Sequence, residues 1–234
     1  MSTQRPWLAS YPRGVPASID VNAFRSIAHV LETACERFHH RPAFSNMGKV
    51  LTYGDIDRQS RAFASYLRNV LKLDKGDRVA IMLPNVLQYP IAIFGALRAG
   101  LTVVNTNPLY TARELRHQLH DAGASAIVVL DNFASVLAEV LHDTPCKHII
   151  TTGLGDLLGF PKSAVVNFTL RHVKKVVPPY SIPHAVRFNA ALAAGAQVDG
   201  RSPQGVTALM LAVDKQKPRA VDALLQAHAN PNLT

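Results

Sequence analysis

The sequence predicts an α/β domain built on a parallel sheet, and three observations carry that prediction. Short apolar runs, "RVAIML", "LTVVN", "SAIVVL" and "KHIIT", recur along residues 78–151. Amphipathic helical stretches separate them, and the units repeat every about 22 to 25 residues, the length of a right-handed crossover rather than of a hairpin. The runs are continuously apolar instead of alternating, as in strands covered on both faces.

The elements follow in order. Between Val21 and Phe38, the residues Ile27, Val30, Leu31, Ala34 and Phe38 fall at spacings of three and four, which predicts a helix with that face inward. "RPAF" and "VLTY", separated by "SNMGK", predict a short hairpin. A second helix follows Thr52, with Thr52 and Asp55 spaced as a capping box. Ile56, Phe63, Ala64 and Leu67 form its inner face, while Arg58, Arg61 and Arg68 point elsewhere. "DKGD" then turns the chain into the first apolar strand. "VLQYPIAIFGALRA" is helical and closes at Gly100, Thr111 and Glu114 cap the helix "ARELRHQLHDA", and Gly123 ends it. A helix through "FASVLAEVL" leads to the last strand.

At 234 residues with 48% apolar content, the chain is long enough for one large or two small cores. No apolar run reaches the ~18 residues a membrane span needs, and no signal-peptide pattern stands at the N-terminus, so a cytoplasmic location is expected. Cys35 and Cys146 lie in no CxxC spacing and read as buried free thiols. The net charge is +9, but it is not spread evenly. No acidic residue occurs between Asp156 and Asp199, whereas Lys162, Arg171, Lys174, Lys175 and Arg187 do, so five of the nine charges sit in one segment. A local basic segment does not make a nucleic-acid surface, and no nucleic-acid partner is expected.

Few residues offer chemistry. "TTGLG", Thr151–Gly155, ends a strand where phosphate loops sit, yet no Lys or Arg follows before Lys162, and an ordinary strand-to-loop turn is the reading adopted. His117, His120 and Asp121 fall on one polar helical face without a further ligand at sensible spacing, so a solvated face is expected rather than a metal site. His39 and His40 lie in a polar loop and are read the same way. In "FPKSAVVNFTLRHVKKVVPPY", apolar Val165, Val166, Phe168, Leu170 and Val173 alternate with Arg171, Lys174 and Lys175. β-Branched crowding without a clean helical moment predicts that the apolar residues cover the sheet and the cations coat the outside. The alternative is peripheral contact with an anionic membrane through Lys162, Arg171, Lys174 and Lys175.

"LTYGDI", the long block "KGDRVAIMLPNVLQYPIAIFGALRAGLTVVNTNPLYTARELRHQLHDAGA" and "AVVNFTLRHVKKVVPPYSIPHAV" together resemble the N-terminal part of bacterial long-chain fatty-acid–CoA ligases, in the AMP-forming acyl-adenylate superfamily. The resemblance runs over roughly residues 5–195, with "LTYGDI" and "LRAGLTVVNTNP" matching the family's first two core motifs. It implies the parallel-sheet N-terminal subdomain of an adenylate-forming enzyme. It also implies a chemistry: fatty acid and Mg-ATP give an acyl-adenylate and pyrophosphate, and coenzyme A then takes the acyl group. The family's phosphate loop, its later adenine and magnesium motifs, and its mobile C-terminal domain with a catalytic lysine have no counterpart in this sequence. The resemblance therefore assigns no catalytic, cofactor-binding or metal residue, and no cofactor is expected for this chain alone.

Beyond "AALAAGA" the tail resembles an ankyrin repeat. Gly205 supplies the turn, Thr207 caps a first helix with Leu209, Ala212 and Val213 inward, and Pro218 opens a second with Val221, Leu224 and Leu225 inward. Ala208 and Met210 depart from the repeat's usual Pro and His. A shift by the ankyrin period of about 33 residues pairs Ala190 with Ala223, Leu192 with Leu225 and Asp199 with Asn232. The expected division is 1–195 for the ligase-like domain and 196–234 for a small, all-α, partial ankyrin module. About three repeats are needed to bury the apolar faces, so such a tail must pack on the α/β domain, continue in another chain or fray. Three functional readings stay open at this level. They are a ligase fragment inactive alone, a non-catalytic interaction protein whose tail recruits a protein partner, and a misjoined or partial reading of an active ligase.

Overall fold

The computed structural model describes residues 5–198. The first helix, α1 (Ile27–Phe38), starts at the first residue of its apolar pattern. Ser26 is the reason: its hydroxyl accepts from the His29 amide at 3.1 Å and caps the helix there. Leu31 and Cys35, one turn apart, face inward, and Ile27 and Val30 are exposed, contrary to the expected face. Strands β1 (Pro42–Asn46) and β2 (Lys49–Thr52) pair as the expected antiparallel hairpin. Met47 and Gly48, at φ 48° and 76°, make its two-residue turn, whose left-handed pair matches the twist of the strands. Helix α2 (Tyr53–Ser65) opens with the predicted box, the Asp55 amide donating to the Thr52 hydroxyl and the Thr52 amide to the Asp55 carboxylate.

The main sheet contains β3 (Arg78–Met82), β4 (Thr102–Asn105), β5 (Ala126–Leu130), β6 (His148–Thr152) and β7 (Val186–Arg187). The strands are all parallel, in the order β4-β3-β5-β6-β7. Four strands are those the sequence predicted; β7 is too short to show a pattern and exists because it pairs with β6. Helices α3 (Gln88–Arg98), α4 (Ala112–Ala122) and α5 (Ala134–Val140) supply the crossovers. The sheet turns back on itself beside β3, so right-handed crossovers place α3 on one face and α4 and α5 on the other. Alternate strand residues feed two cores accordingly. Val79, Ile81, Val128 and Ile150 meet α1, α2 and α3, whereas Ala80, Met82, Ile127 and Val129 meet α4 and α5. The α/β class with a parallel sheet is thus present as predicted.

Between β6 and β7 the chain makes an excursion through α6 (Lys162–Phe168) and a π-type turn, Thr169–Val173. Here the expected packing is overturned. Of the five apolar residues assigned to the sheet, Val166 joins the core and Leu170 is half-buried, while Val165, Phe168 and Val173 are exposed. The inward place goes instead to Asn167, which satisfies a loop amide and a carboxylate that would otherwise be stranded.

After β7, helix α7 (Phe188–Val198) lies against α2 and runs three residues beyond the expected boundary at 195. Gly195 allows the close approach: a Cβ there would run into the Ala62 carbonyl oxygen and stand 2.9 Å from the Tyr66 amide nitrogen. Gly195→Ala should therefore destabilise the protein by about 1–3 kcal/mol, although alanine favours an unconstrained helix over glycine by up to about 1 kcal/mol. Urea unfolding measures this, and an unchanged or raised midpoint would show that the two helices do not touch there. The ankyrin-like features from Gly205 onward lie outside the described residues.

Candidate functional site

Parallel α/β sheets hold their ligands beyond the carboxyl ends of the strands, and the polar groups of this fold gather at those ends. β5 runs into Asp131, β6 into the Thr151–Asp156 loop, and β7 ends in Arg187. Arg187 joins all three: Nη1 donates to Asp131 Oδ1 at 2.7 Å and Thr151 Oγ1 at 3.1 Å, and Nη2 to Asp156 Oδ2 at 2.8 Å. Tyr180 donates its hydroxyl to Asp131 Oδ1 at 2.9 Å, and Arg171 Nη2 lies 3.5 Å from Asp131 Oδ2. Both aspartates are nearly enclosed, at 8% and 10% side-chain exposure, so each must be paired to remain ionised.

Electrostatics fixes the protonation of the donors. Burial pushes the Tyr180 hydroxyl up and the neighbouring Asp131 charge adds to the effect, so the phenol stays neutral and donates. Burial alone would lower Arg187, but Asp131 and Asp156 outweigh it and hold the guanidinium charged. A cleft of about 830 Å³ opens beside this cluster, lined by Asp131, Asn132, Phe168, Arg171, Tyr180 and Arg187 among others. Asn132 donates Nδ2 to the Val176 carbonyl at 2.9 Å, and its Oδ1 is buried without a donor.

The glycine loop of β6 is committed to the protein itself. Gly153 N donates to Asp156 Oδ2 at 2.8 Å and Gly155 N to Asn167 Oδ1 at 2.8 Å, while Gln88, fully buried, donates to the Gly153 carbonyl at 3.0 Å. A Cβ at Gly153 or Gly155 would come within 2.9 Å of Asp156 or Asn167, so the glycines are accounted for by packing. The amides of both glycines are thus taken up by side chains of the protein and not offered to a phosphate.

The other candidate residues do not assemble. His117, His120 and Asp121 are exposed on α4, beside a shallow depression that Asp143 also borders. Among the described residues no group of three His, Cys, Asp or Glu could hold a metal ion. His39 sits over Gly54, and its ring meets His40 edge-on at 4.8 Å. Cys35 and Cys146 are buried free thiols. Burial raises both, Cys146 to about 12, which keeps them protonated and inert. Of the basic residues, Lys162 donates to the Met47 carbonyl and ties α6 to the hairpin, Arg171 reaches Asp131, and Lys174 and Lys175 are exposed. Asp131, Asp156 and Tyr180 were not singled out from the sequence, and Arg187 was counted only as a surface charge. The one available signal was the acid-free stretch around Arg187, which requires any buried partner to come from elsewhere in the chain.

A doubly wound parallel sheet with its polar cluster at the strand ends defines an α/β enzyme fold of the ligand-binding kind. The family model for the AMP-binding enzyme matches residues 31–210, and the chain belongs to that family. It is 48% identical over 203 residues to the long-chain-fatty-acid–CoA ligase of Salmonella typhimurium, covering 87% of this chain and 36% of that protein. With the ligase of the same description from Haemophilus influenzae it shares 52% identity over 192 residues, covering 82% of this chain and 34% of the relative. The chain thus spans about a third of the length of these curated relatives. Its fold is similar to that of a benzoate CoA ligase from Burkholderia xenovorans, with a TM-score of 0.55 at 22% identity, over 71% of this chain and 28% of that one. Among the described residues, no helix is long and apolar enough to cross a membrane.

Proposed function

We propose that this chain is the N-terminal portion of a long-chain fatty-acid–CoA ligase and that its 234 residues supply scaffold rather than chemistry. Ligases of this kind join a fatty acid to coenzyme A at the expense of ATP. One observation supports the scaffold role most directly: every ionised group enclosed at the strand ends is neutralised by another group of the same cluster.

Mg-ATP is the reagent the family implies, and the described residues do not fit it. The loop's two glycine amides are spent on Asp156 and Asn167, Arg187 spends both Nη atoms on aspartates, and among the described residues no group of three His, Cys, Asp or Glu could hold a metal ion. Stabilising a transferring or departing phosphate needs preorganised donors and a metal. Cleaving the α–β bond of ATP against a carboxylate therefore has no support from these residues.

The expected result is that the purified chain shows no fatty-acid-dependent exchange of labelled pyrophosphate into ATP above a buffer blank. Fatty-acid-dependent exchange would overturn the scaffold reading. Protein recruitment through residues 196–234 is the competing proposal from the sequence; nothing in the described structure favours it over the scaffold reading.

A further inference from the structure

Helices α3, α4 and α5 each bury a row of side chains, whereas α6 and the turn that continues it bury none. From residue 159 to residue 181 no residue is buried, yet the chain is anchored on either side of that stretch. Leu158 belongs to the core on the α3 face of the sheet and Ile182 to the core on the α4 face, so the excursion crosses between faces beside the carboxyl ends of the strands. What fastens it in between is mainly polar. Lys162 donates to the Met47 carbonyl, and Asn167 accepts from the Gly155 amide and donates to Asp156 Oδ1, both at 2.8 Å. Arg171 lies 3.5 Å from Asp131, the Val176 carbonyl accepts from Asn132, and Tyr180 donates to Asp131. Val166 and Tyr180 add partial apolar contact with the two cores. The helical part is bounded by left-handed residues, Gly159 at φ 80° and Lys175 at φ 52°, and only the glycine takes that conformation without steric cost.

We infer that residues 159–181 form a strap that opens as one unit while the sheet stays folded, and that Asn167 is its latch. Opening a segment costs only what its own contacts supply, and segments with few buried apolar contacts lie at the low end of that scale. Surface hydrogen bonds and a half-exposed ion pair contribute little net stability, because water replaces them when the strap lifts. Asn167 differs from the other fastenings in holding both a backbone amide and a carboxylate of the β6 loop from a half-buried position. Losing it leaves the Gly155 amide without a partner in the closed form, which tips the balance toward the open one. The strap is also the outer wall of the cleft of about 830 Å³, whose inner wall includes Asp131, Asn132, Leu154 and Arg187. Lifting it therefore removes one side of the cleft and uncovers the strand ends, where parallel sheets hold their ligands. The device governs access to those ends and stands whether or not the scaffold reading does.

The test is native-state hydrogen exchange of the full chain, read by mass spectrometry of its peptic peptides. The strap has protected amides to report on it: Val165 bonds to the Pro161 carbonyl, Lys174 to Thr169 and Val176 to Leu170. These should exchange together, on the order of a hundred-fold faster than the amides of β5 and β6. Asn167→Ala should accelerate all of them about ten-fold and leave β5 and β6 unchanged. Lys175→Gly, at an exposed position, should slow them about three-fold by removing the Cβ from a left-handed residue. Asn69→Ala, which removes a hydrogen bond to Ser65 on another element, should change them less than about two-fold. Strap amides as slow as those of the sheet overturn the inference, because the segment then opens only on global unfolding. Equal acceleration of β5 and β6 by Asn167→Ala, or a response confined to the residues beside position 167, overturns it as well. Should Asn167→Ala fail to fold, the wild-type rates and the slowing by Lys175→Gly decide the matter.

Discussion

Replacing Phe63 with alanine should lower the unfolding free energy by about 3–5 kcal/mol, the cost of a large aromatic deletion in a rigid core. Phe63 is fully buried on α2 and stands where three helices converge. Its ring centre lies 5.0 Å from that of Phe188 at the start of α7. On the α3 side a Cβ added at Gly95 would meet Phe63 Cδ1 at 2.7 Å, so the ring is held tightly there as well. No neighbour can collapse into the space without shifting a helix, which places the cost toward the upper end. In urea titration the midpoint should fall with the slope unchanged, and Phe63→Leu should recover about half of the loss. A loss under about 1 kcal/mol would mean that α7 does not close this core.

The Arg187→Met variant tests the clasp at the strand ends. Removing one partner of an enclosed ion pair costs about 3–5 kcal/mol when the other is left without compensation. Here the expectation is lower, about 2–4 kcal/mol, because Arg187 is itself 43% exposed and the aspartates keep other donors. Asp131 retains Tyr180 and Arg171, and Asp156 retains the Gly153 amide, the Thr152 hydroxyl and Asn167. Adding Asp131→Asn should restore part of the stability, so the two substitutions will be far from additive. Full additivity of the two substitutions would assign the loss to packing alone.

Legibility from the sequence followed the range of the interaction. Thr52 with Asp55, Thr111 with Glu114, and Gly123 at φ 57° were readable because caps join neighbours within a turn. The four apolar strands were readable because cover on both faces leaves an unbroken apolar run. Helix α6 misled for the complementary reason. Its composition is that of a sheet-covering segment, yet the need to satisfy Gly155 and Asp156 turned Asn167 inward and Phe168 outward. Gly195 looks like any glycine in an alanine-rich helix until α2 lies against it.

By itself the sequence determined the α/β class, the succession of strands and crossovers and the crowding of positive charge into one segment. The motifs that resemble the ligase family also stand in the sequence alone. Each depends on local periodicity, capping or composition, which act over a few residues. Only the tertiary structure decided that β7 forms, and that Arg187 binds carboxylates 56 and 31 positions away. It also decided that the glycine loop closes on its own side chains and that the basic segment turns its apolar face to solvent. These outcomes rest on pairing enclosed charges and amides across the fold, where an unpaired group costs more than an exposed valine or phenylalanine.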